Sequence, residues 1–575
     1  MIKLIRYLQP YRVAVISILA LVFFQSFSQL YLPTLMSDIV DTGIVKGDTD
    51  YILRIGGLML LVAAGGTTCI ALSSFLSAKV ATGFAKDLRK EVFSRVEGCS
   101  LQEFDKIGTA SLITRTTNDI TQIQQVMIMI LRMMVSAPMM CIGGIIMAVL
   151  QDATLSLILV VVIPVLVAVI SVIAGKGLSL FKALQVKLDK LNLVLREELT
   201  GIRVIRAFNR ADYEKNRFLD ANADLTGTAI KVNKIMAALM PIMMLVMNFT
   251  VIAIIWFGGI RIDNGDMQVG SLMAFIQYVM QIMFSLIMVS MMFVFIPRAS
   301  ASAERINEVL DIVSVIKDPQ EPKKDGLAKG FIEFKNVTFS YPGAEQPVLN
   351  NISFSAGPGE VTAIIGGTGS GKSTLVNLIP RFFDVDDGSI LIDGVDIREM
   401  TQEGLRAKIG FVPQKAVLFS GTVADNIRYG REESTDEEIR HAARIAQAEE
   451  FITMMKDGYH SLIAQRGANL SGGQKQRLAI ARALVRKPEI YIFDDTFSAL
   501  DFKTDARLRT ALKKEIAGAT VLIVAQRVST VMDADRIIVL DQGRVMGIGR
   551  HSELIRTCGV YSEIVSSQLS EEEIA

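Results

Sequence analysis

Six long apolar stretches occupy the first half of this chain, and they limit its architecture before any motif is considered. Crossing a bilayer as a helix takes roughly 20 mostly apolar residues. Residues 13–37, 55–78, 153–175, 235–260 and 267–297 reach that length without a charge, and residues 123–150 are interrupted only by Arg132. Backbone groups in hydrocarbon have no water to bond, and open sheet edges do not face lipid, so each stretch is expected to be a helix. The sequence therefore predicts six spans.

The Lys and Arg distribution orients them. Residues 38–51 carry Asp38, Asp41, Asp48 and Asp50 against Lys46. The connection around Asp152 is short, and Arg261 is set against Asp263 and Asp266. Those loops are expected outside. Residues 79–118 and 176–234 are rich in Lys and Arg and are expected inside, which puts both chain ends in the cytoplasm. Within them, residues 84–96 and 180–199 mix charged and apolar side chains at helical spacing, so the helices are expected to continue well beyond the membrane. Lys3, Arg6 and Arg12 precede the first span, but no small-residue cleavage site follows, which reads as a retained span.

Net charge is +1, which gives no electrostatic footprint for nucleic acid. Four cysteines (Cys69, Cys99, Cys141 and Cys558) and three histidines are scattered without metal-ligand spacing. Past Asp318-Pro319-Gln320-Glu321-Pro322, a breaker-rich boundary, the composition becomes that of a soluble α/β domain. The expected organisation is a membrane domain with long cytosolic helix extensions over residues 1–297, a linker over 298–330 with a helix-like part at 303–315, and a soluble domain over 331–575.

Gly366-Gly367-Thr368-Gly369-Ser370-Gly371-Lys372-Ser373-Thr374 follows an apolar strand pattern at 361–365 and opens a helix-compatible run at 374–378. That is the context a phosphate-binding loop needs. Glycines let backbone N–H groups curl around phosphate oxygens, and the helix N-terminus adds a favourable dipole. Lys372 is expected to reach the β and γ phosphates, and the Ser373 hydroxyl to bind Mg²⁺. Ile490-Tyr491-Ile492-Phe493-Asp494 reads as a buried strand ending in an acid, followed at once by Asp495. Asp494 is the natural second holder of Mg²⁺, directly or through water.

At Leu470-Ser471-Gly472-Gly473-Gln474 the chain resembles the signature motif of ATP-binding-cassette proteins. Ser471 and Gln474 form a Ser-x-x-Gln capping box, and Gly472 and Gly473 leave N–H groups bare for an anion. With the phosphate loop before it and the acidic strand end about twenty residues on, the chain is similar to the exporter half-transporters of that family over nearly its whole length. The resemblance implies a six-span α-helical membrane domain of the type IV exporter kind and an α/β P-loop nucleotide-binding domain with a helical subdomain. It implies ATP and Mg²⁺ as cofactors, Tyr341 stacking on adenine, and Gln414 touching Mg²⁺ and sensing the membrane domain. It implies a second cassette, since each ATP is held between the phosphate loop of one and the signature of the other. Phe104-Asp105-Lys106 with residues 115–119, and residues 207–212, resemble the family's two coupling regions, although Ala110 stands where Gly is usual.

Two positions depart from the family pattern. Asp495 stands where Glu is usual, and Gln526, in Val524-Ala525-Gln526-Arg527, where the switch His is usual. Asp reaches about 1 Å less far, a misplacement that can cost about a hundredfold. Gln can bond a phosphate but carries neither the proton nor the charge of His. One reading keeps Asp495 as a working base. The other makes this chain the degenerate-site subunit of a heterodimeric multidrug exporter: its own loop forms a weakly hydrolysing site, and its signature completes a competent site on a different half-transporter with Glu and His there. Alternatives are a homodimeric lipid or peptide exporter and an ATP-gated membrane regulator.

The expected setting is a bacterial plasma membrane, with the ATP-binding domain cytoplasmic. Expected partners are the second half-transporter, the lipid bilayer and a hydrophobic small-molecule substrate. Of 27 methionines, Met133, Met134, Met139, Met140, Met243, Met244, Met247, Met283, Met291 and Met292 lie in spans, with Phe284, Phe293 and Phe295. Thioethers suit an adaptable apolar cavity, as they also suit ordinary packing. Arg132 either faces such a cavity or snorkels to the membrane surface.

Overall fold

The computed structural model describes residues 2–323 and 329–569. The expected linker residues 324–328 and the last cassette residues, 570–575, lie outside the described residues, as do the side chains of Met291, Met292 and Phe293. The chain divides into two compact units, Met1–Glu97 with Gly108–Ile312, and Gly98–Ile107 with Val313–Ala575.

In the first unit, α1 (Arg12–Asp38) is followed by α2 (Thr49–Glu97). After the short α3 (Leu101–Ile107), which belongs to the second unit, come α4 (Thr109–Thr114), α5 (Ile120–Gln151), α6 (Leu157–Ala207), α7 (Ala211–Asp263) and α8 (Val269–Leu310). Six helical stretches among the described residues are long and apolar enough to cross a membrane. The long ones outrun any bilayer: α7 has 53 residues, about 80 Å at the usual rise. The polar, helix-spaced segments at 84–96 and 180–199 are therefore continuous with α2 and α6. Residues 298–310, assigned to the linker by composition, continue α8 through Pro297 without a break.

α5 packs along α8, α1 lies against α2, α5 and α8, and α6 pairs mainly with α7. Two carboxylates tie α8 at its ends. Asp41 accepts from the backbone N–H groups of Gly270 (2.6 Å) and Ser271 (3.0 Å), which are otherwise orphaned at the start of α8. Asp119, 3% exposed, accepts from Ser302 Oγ (2.9 Å) and from Arg305 through both Nε (2.8 Å) and Nη2. Asp152 holds Arg261 at 2.7 Å. Met243 and Met283 are buried in the bundle, Met134 and Met244 are exposed, and Arg132 is on an exposed face of α5.

The second unit is built on two main sheets. One has the order β2 (Leu349–Ala356), β1 (Ile332–Phe339), β4 (Asp387–Ile392), β5 (Val395–Asp396), and is antiparallel. The other has the order β12 (Arg544–Gly549), β11 (Arg536–Asp541), β3 (Val361–Gly366), β10 (Thr520–Val524), β9 (Ile490–Asp494), β6 (Ile409–Val412). Its strands pair in parallel except for β12. A parallel strand is covered on both faces and reads as an unbroken apolar run. Accordingly β9 and β10 are buried at every position. β7 (Gly421–Thr422) and β8 (Leu462–Ile463) form a small ribbon in the helical part.

Both oxygens of Asp119 are engaged, so Asp119→Ala removes charge-assisted bonds that contribute about 1.5–3 kcal/mol each at most. The expected result is earlier thermal unfolding of the purified membrane unit, equivalent to about 2 kcal/mol after Arg305 relaxes into solvent. Unchanged unfolding would show that Asp119 does not anchor α8.

Candidate functional site

Parallel strands end at one edge, and the chemistry-bearing residues of the second unit collect there. β3 runs into the phosphate loop, which opens α9 (Lys372–Leu378). Two glycines there have no substitute. A Cβ on Gly366 would lie 2.1 Å from Leu540 O, and Gly371 adopts φ +94° with Leu349 Cδ2 only 2.8 Å from where a Cβ would sit. Lys372 folds back over the loop, donating to Gly366 O (2.9 Å) and Gly367 O (2.6 Å). Burial lowers the pKa of its ammonium, and the charges of Asp495 and Asp494 oppose that shift.

β9 delivers Asp494 beside the loop. Its Oδ1 accepts from Ser373 Oγ at 3.0 Å. Burial pushes the Asp494 carboxyl up, Asp495 adds to the shift, and the Ser373 bond and Lys372 pull it down. A hydroxyl and a carboxylate converging on one point form an oxygen donor set of the kind Mg²⁺ takes. The residues present fit that ion.

Asp495 sits in the left-handed region at φ +46°. Its backbone N–H bonds Val524 O at 3.0 Å, pinning the end of β9 to the end of β10. Its Oδ2 accepts from two amides, Gln414 Nε2 at 3.1 Å and Gln526 Nε2 at 2.9 Å. Gln414 lies just past β6 and Gln526 just past β10, so residues far apart in sequence are gathered by strand order alone. Tyr341 bonds Thr374 Oγ1 through its hydroxyl at 3.1 Å, and its ring meets Phe339 and Phe383 edge-on.

The capping box predicted at Ser471 is formed. Ser471 Oγ accepts from Gln474 N (3.3 Å), and Ser471 N donates to Gln474 Oε1 (2.9 Å), opening the helix Gly472–Arg486. Among the described residues this box makes no hydrogen bond to the phosphate-loop cluster. Gly473 instead approaches Ala499 O: a Cβ there would lie 3.1 Å away. The sequence reading missed Gln476. It is 3% exposed and donates to Pro413 O at 3.1 Å, next to Gln414. An amide among the buried alanines and leucines of an amphipathic helix was the available signal.

The comparisons with known proteins agree with this architecture. Residues 15–286 match the ABC transporter transmembrane region and residues 349–498 the ABC transporter family. An uncharacterized ABC transporter ATP-binding protein of Mycobacterium tuberculosis is 44% identical over 98% of this chain and 97% of its own. The chain belongs to the ABC transporter family. Other relatives of this ABC transporter include an ATP-dependent lipid A-core flippase of Syntrophus aciditrophicus, 33% identical over 90% of this chain and 85% of its own. The ATP-bound structure of a bacterial Atm1-family ABC exporter superposes with TM-score 0.81 at 28% identity, covering 97% of this chain and 99% of that one. The protein is thus an ATP-driven ABC exporter half, with a six-helix membrane domain of the type IV exporter fold and an ATP-binding domain.

Because the folded-state pKa of Asp494 is raised, its ionised form costs stability at neutral pH, a cost that disappears as pH falls through the folded pKa. Asp494→Asn keeps the acceptor for Ser373 and removes the buried charge. Without nucleotide the variant is expected to melt at a higher temperature than the parent. It is also expected to lose Mg²⁺-dependent stabilisation by ATP. A lower melting temperature without nucleotide would contradict this account of Asp494.

Proposed function

We propose that this exporter half moves amphipathic or hydrophobic compounds of the multidrug type outward, pairs with a different half-transporter, and holds ATP on its own phosphate loop at a slowly hydrolysing site. The observation that carries the reading is the pair of amides on one oxygen of Asp495. A general base needs a lone pair aimed at the attacking water. Here both groups flanking the shortened carboxylate are neutral donors that accept no proton. With Gln526 in place of His, the site also lacks a group whose charge could follow the γ-phosphate.

In this reading Lys372 exchanges its bonds to Gly366 O and Gly367 O for phosphate oxygens, and the loop N–H groups hold the rest. Tyr341 offers its ring to adenine. Ser373 and Asp494, with Gln414 beside them, would hold Mg²⁺, which when bound offsets phosphate charge. The box of Ser471, Gly472, Gly473 and Gln474 presents bare N–H groups to the nucleotide of the partner chain, where Glu and His are proposed to support hydrolysis. Residues 1–297, 298–330 and 331–575 serve as membrane domain, connector and cassette, with both chain ends and the cassette in the cytoplasm of a bacterium. ATP shifts the membrane domain only by its own difference in affinity for the open and closed cassettes, so closure favours the membrane-domain state coupled to it.

A lipid cargo is the second reading, favoured by the likeness to a lipid A-core flippase. The exposed Met134 and Met244 and the exposed Arg132 suit an amphipathic molecule with either kind of tail.

The test is Asp495→Glu combined with Gln526→His in the two-chain complex purified from its own membrane. ATP turnover is expected to rise, with the restored site gaining about tenfold to a hundredfold. Unchanged turnover, or a complex of two identical chains turning over ATP at full rate, would sink the slow-site reading.

A further inference from the structure

We propose that Gln568, at the far end of the chain, is a positioning residue that holds the Gln526 segment over the nucleotide. The inference rests on the proposed nucleotide site, with the Gln526 amide at the switch position donating to the γ-phosphate. Gln526 lies two residues beyond β10, one past the last sheet contact, which Ala525 N makes with Ile364 O. Its side chain can be aimed only if that backbone is held from elsewhere.

Gln568 supplies the hold. Its Nε2 donates to Gln526 O at 2.9 Å, and its Oε1 accepts from Val528 N at 2.9 Å. One side-chain amide thus offers the switch segment the donor and acceptor that a neighbouring strand would have offered. Val528 N is also one of the orphan donors at the start of the short helix Val528–Val531. The clasp is itself well founded. Gln568 N bonds Val565 O at 3.0 Å in the last turn after the helix Gly559–Ser566. That helix is anchored by Tyr561 and Val565, 0% and 1% exposed. Tyr561 in turn bonds His551 Nδ1 through its hydroxyl at 2.7 Å.

The rest of the switch is gripped as well. Arg509 donates to Ser529 O at 3.0 Å, and Arg527 donates to Ser498 O at 3.3 Å. Of these contacts only Gln568 touches residue 526 itself. Its side chain is exposed, so removing the amide leaves no cavity, although it takes the acceptor from Val528 N on a buried residue.

The experiment uses the full-length transporter in its own membrane, with azido-ATP radiolabelled at the α- or the γ-phosphate. Membranes are loaded, chased with unlabelled ATP and irradiated, and label is read on this chain after separation from its partner. Gln568→Ala is expected to shorten retention on this chain about three- to tenfold, the range that loss of one neutral hydrogen bond to the nucleotide gives. In a Gln526→Ala background the same substitution is expected to change nothing further, because the amide it positions is gone. Retention unaltered by Gln568→Ala overturns the proposal, and so does an equal loss in both backgrounds, which would mark Gln568 as a general structural cap. The ratio of γ- to α-label separately reports hydrolysis on this chain. Rapid loss of γ-label would defeat the slow-site reading and leave the retention comparison standing.

Discussion

Parallel strand pairing has a consequence on which the ATP-binding domain depends: every strand leaves its backbone at the same edge with unsatisfied N–H groups and no partner of its own. β6, β9, β10 and β3 all end there. The turns that follow must find bonds outside the ladder, and they find them in one another. Asp495 N takes Val524 O, Ala525 N takes Ile364 O, and the side chain of Asp495 ties the turns after β6 and β10. The chemistry-bearing residues meet because the strands must end together. The same edge leaves loop N–H groups facing solvent at the start of α9, which is why an anion is welcome there.

The membrane unit answers a different constraint with the same accounting of polar groups. Within hydrocarbon the backbone satisfies itself by staying helical. Difficulty arises where a helix starts or stops, and acidic side chains sit at those places. Asp41 caps the opening N–H groups of α8, and Asp152 both accepts from Leu155 N at the turn into α6 and holds Arg261. The acidic character of the loops, read from sequence as an orientation signal, therefore also serves helix termination.

Six spans, the phosphate loop, the acidic strand end and the capping box at Ser471 were legible because each rests on local sequence: an apolar run of sufficient length, glycines before Lys372, or Ser and Gln at capping distance. The continuation of α8 to Leu310 was less so, because residues 298–310 are polar enough to resemble a connector while their helical phase stays unbroken across Pro297. Gln476 showed only as an amide among apolar helix positions, with nothing to name its partner, and Gln568 was not legible at all. Each acts through backbone groups distant in sequence, Pro413 O in one case and Gln526 O with Val528 N in the other. An amide gripping a distant peptide leaves no periodicity or motif, since any backbone could have been its partner.

The two departures at Asp495 and Gln526 gain their meaning from being neighbours. Had Asp495 alone been shortened, an imidazolium at 526 would have faced it, and the pair would have held opposite charges at close range in a buried site. With Gln at 526, the carboxylates of Asp494 and Asp495 face a single ammonium, that of Lys372, and two neutral amides. Burial already disfavours the charge on Asp494 and on Lys372 alike. A polyphosphate entering this pocket adds more of the same sign, and the protein offers no second cation among these groups to receive it. A divalent cation held at the Ser373–Asp494 pair would offset that charge. The amides of Gln414 and Gln526 add hydrogen bonds to Asp495 but no charge, so among these groups Lys372 alone is left to offset both carboxylates.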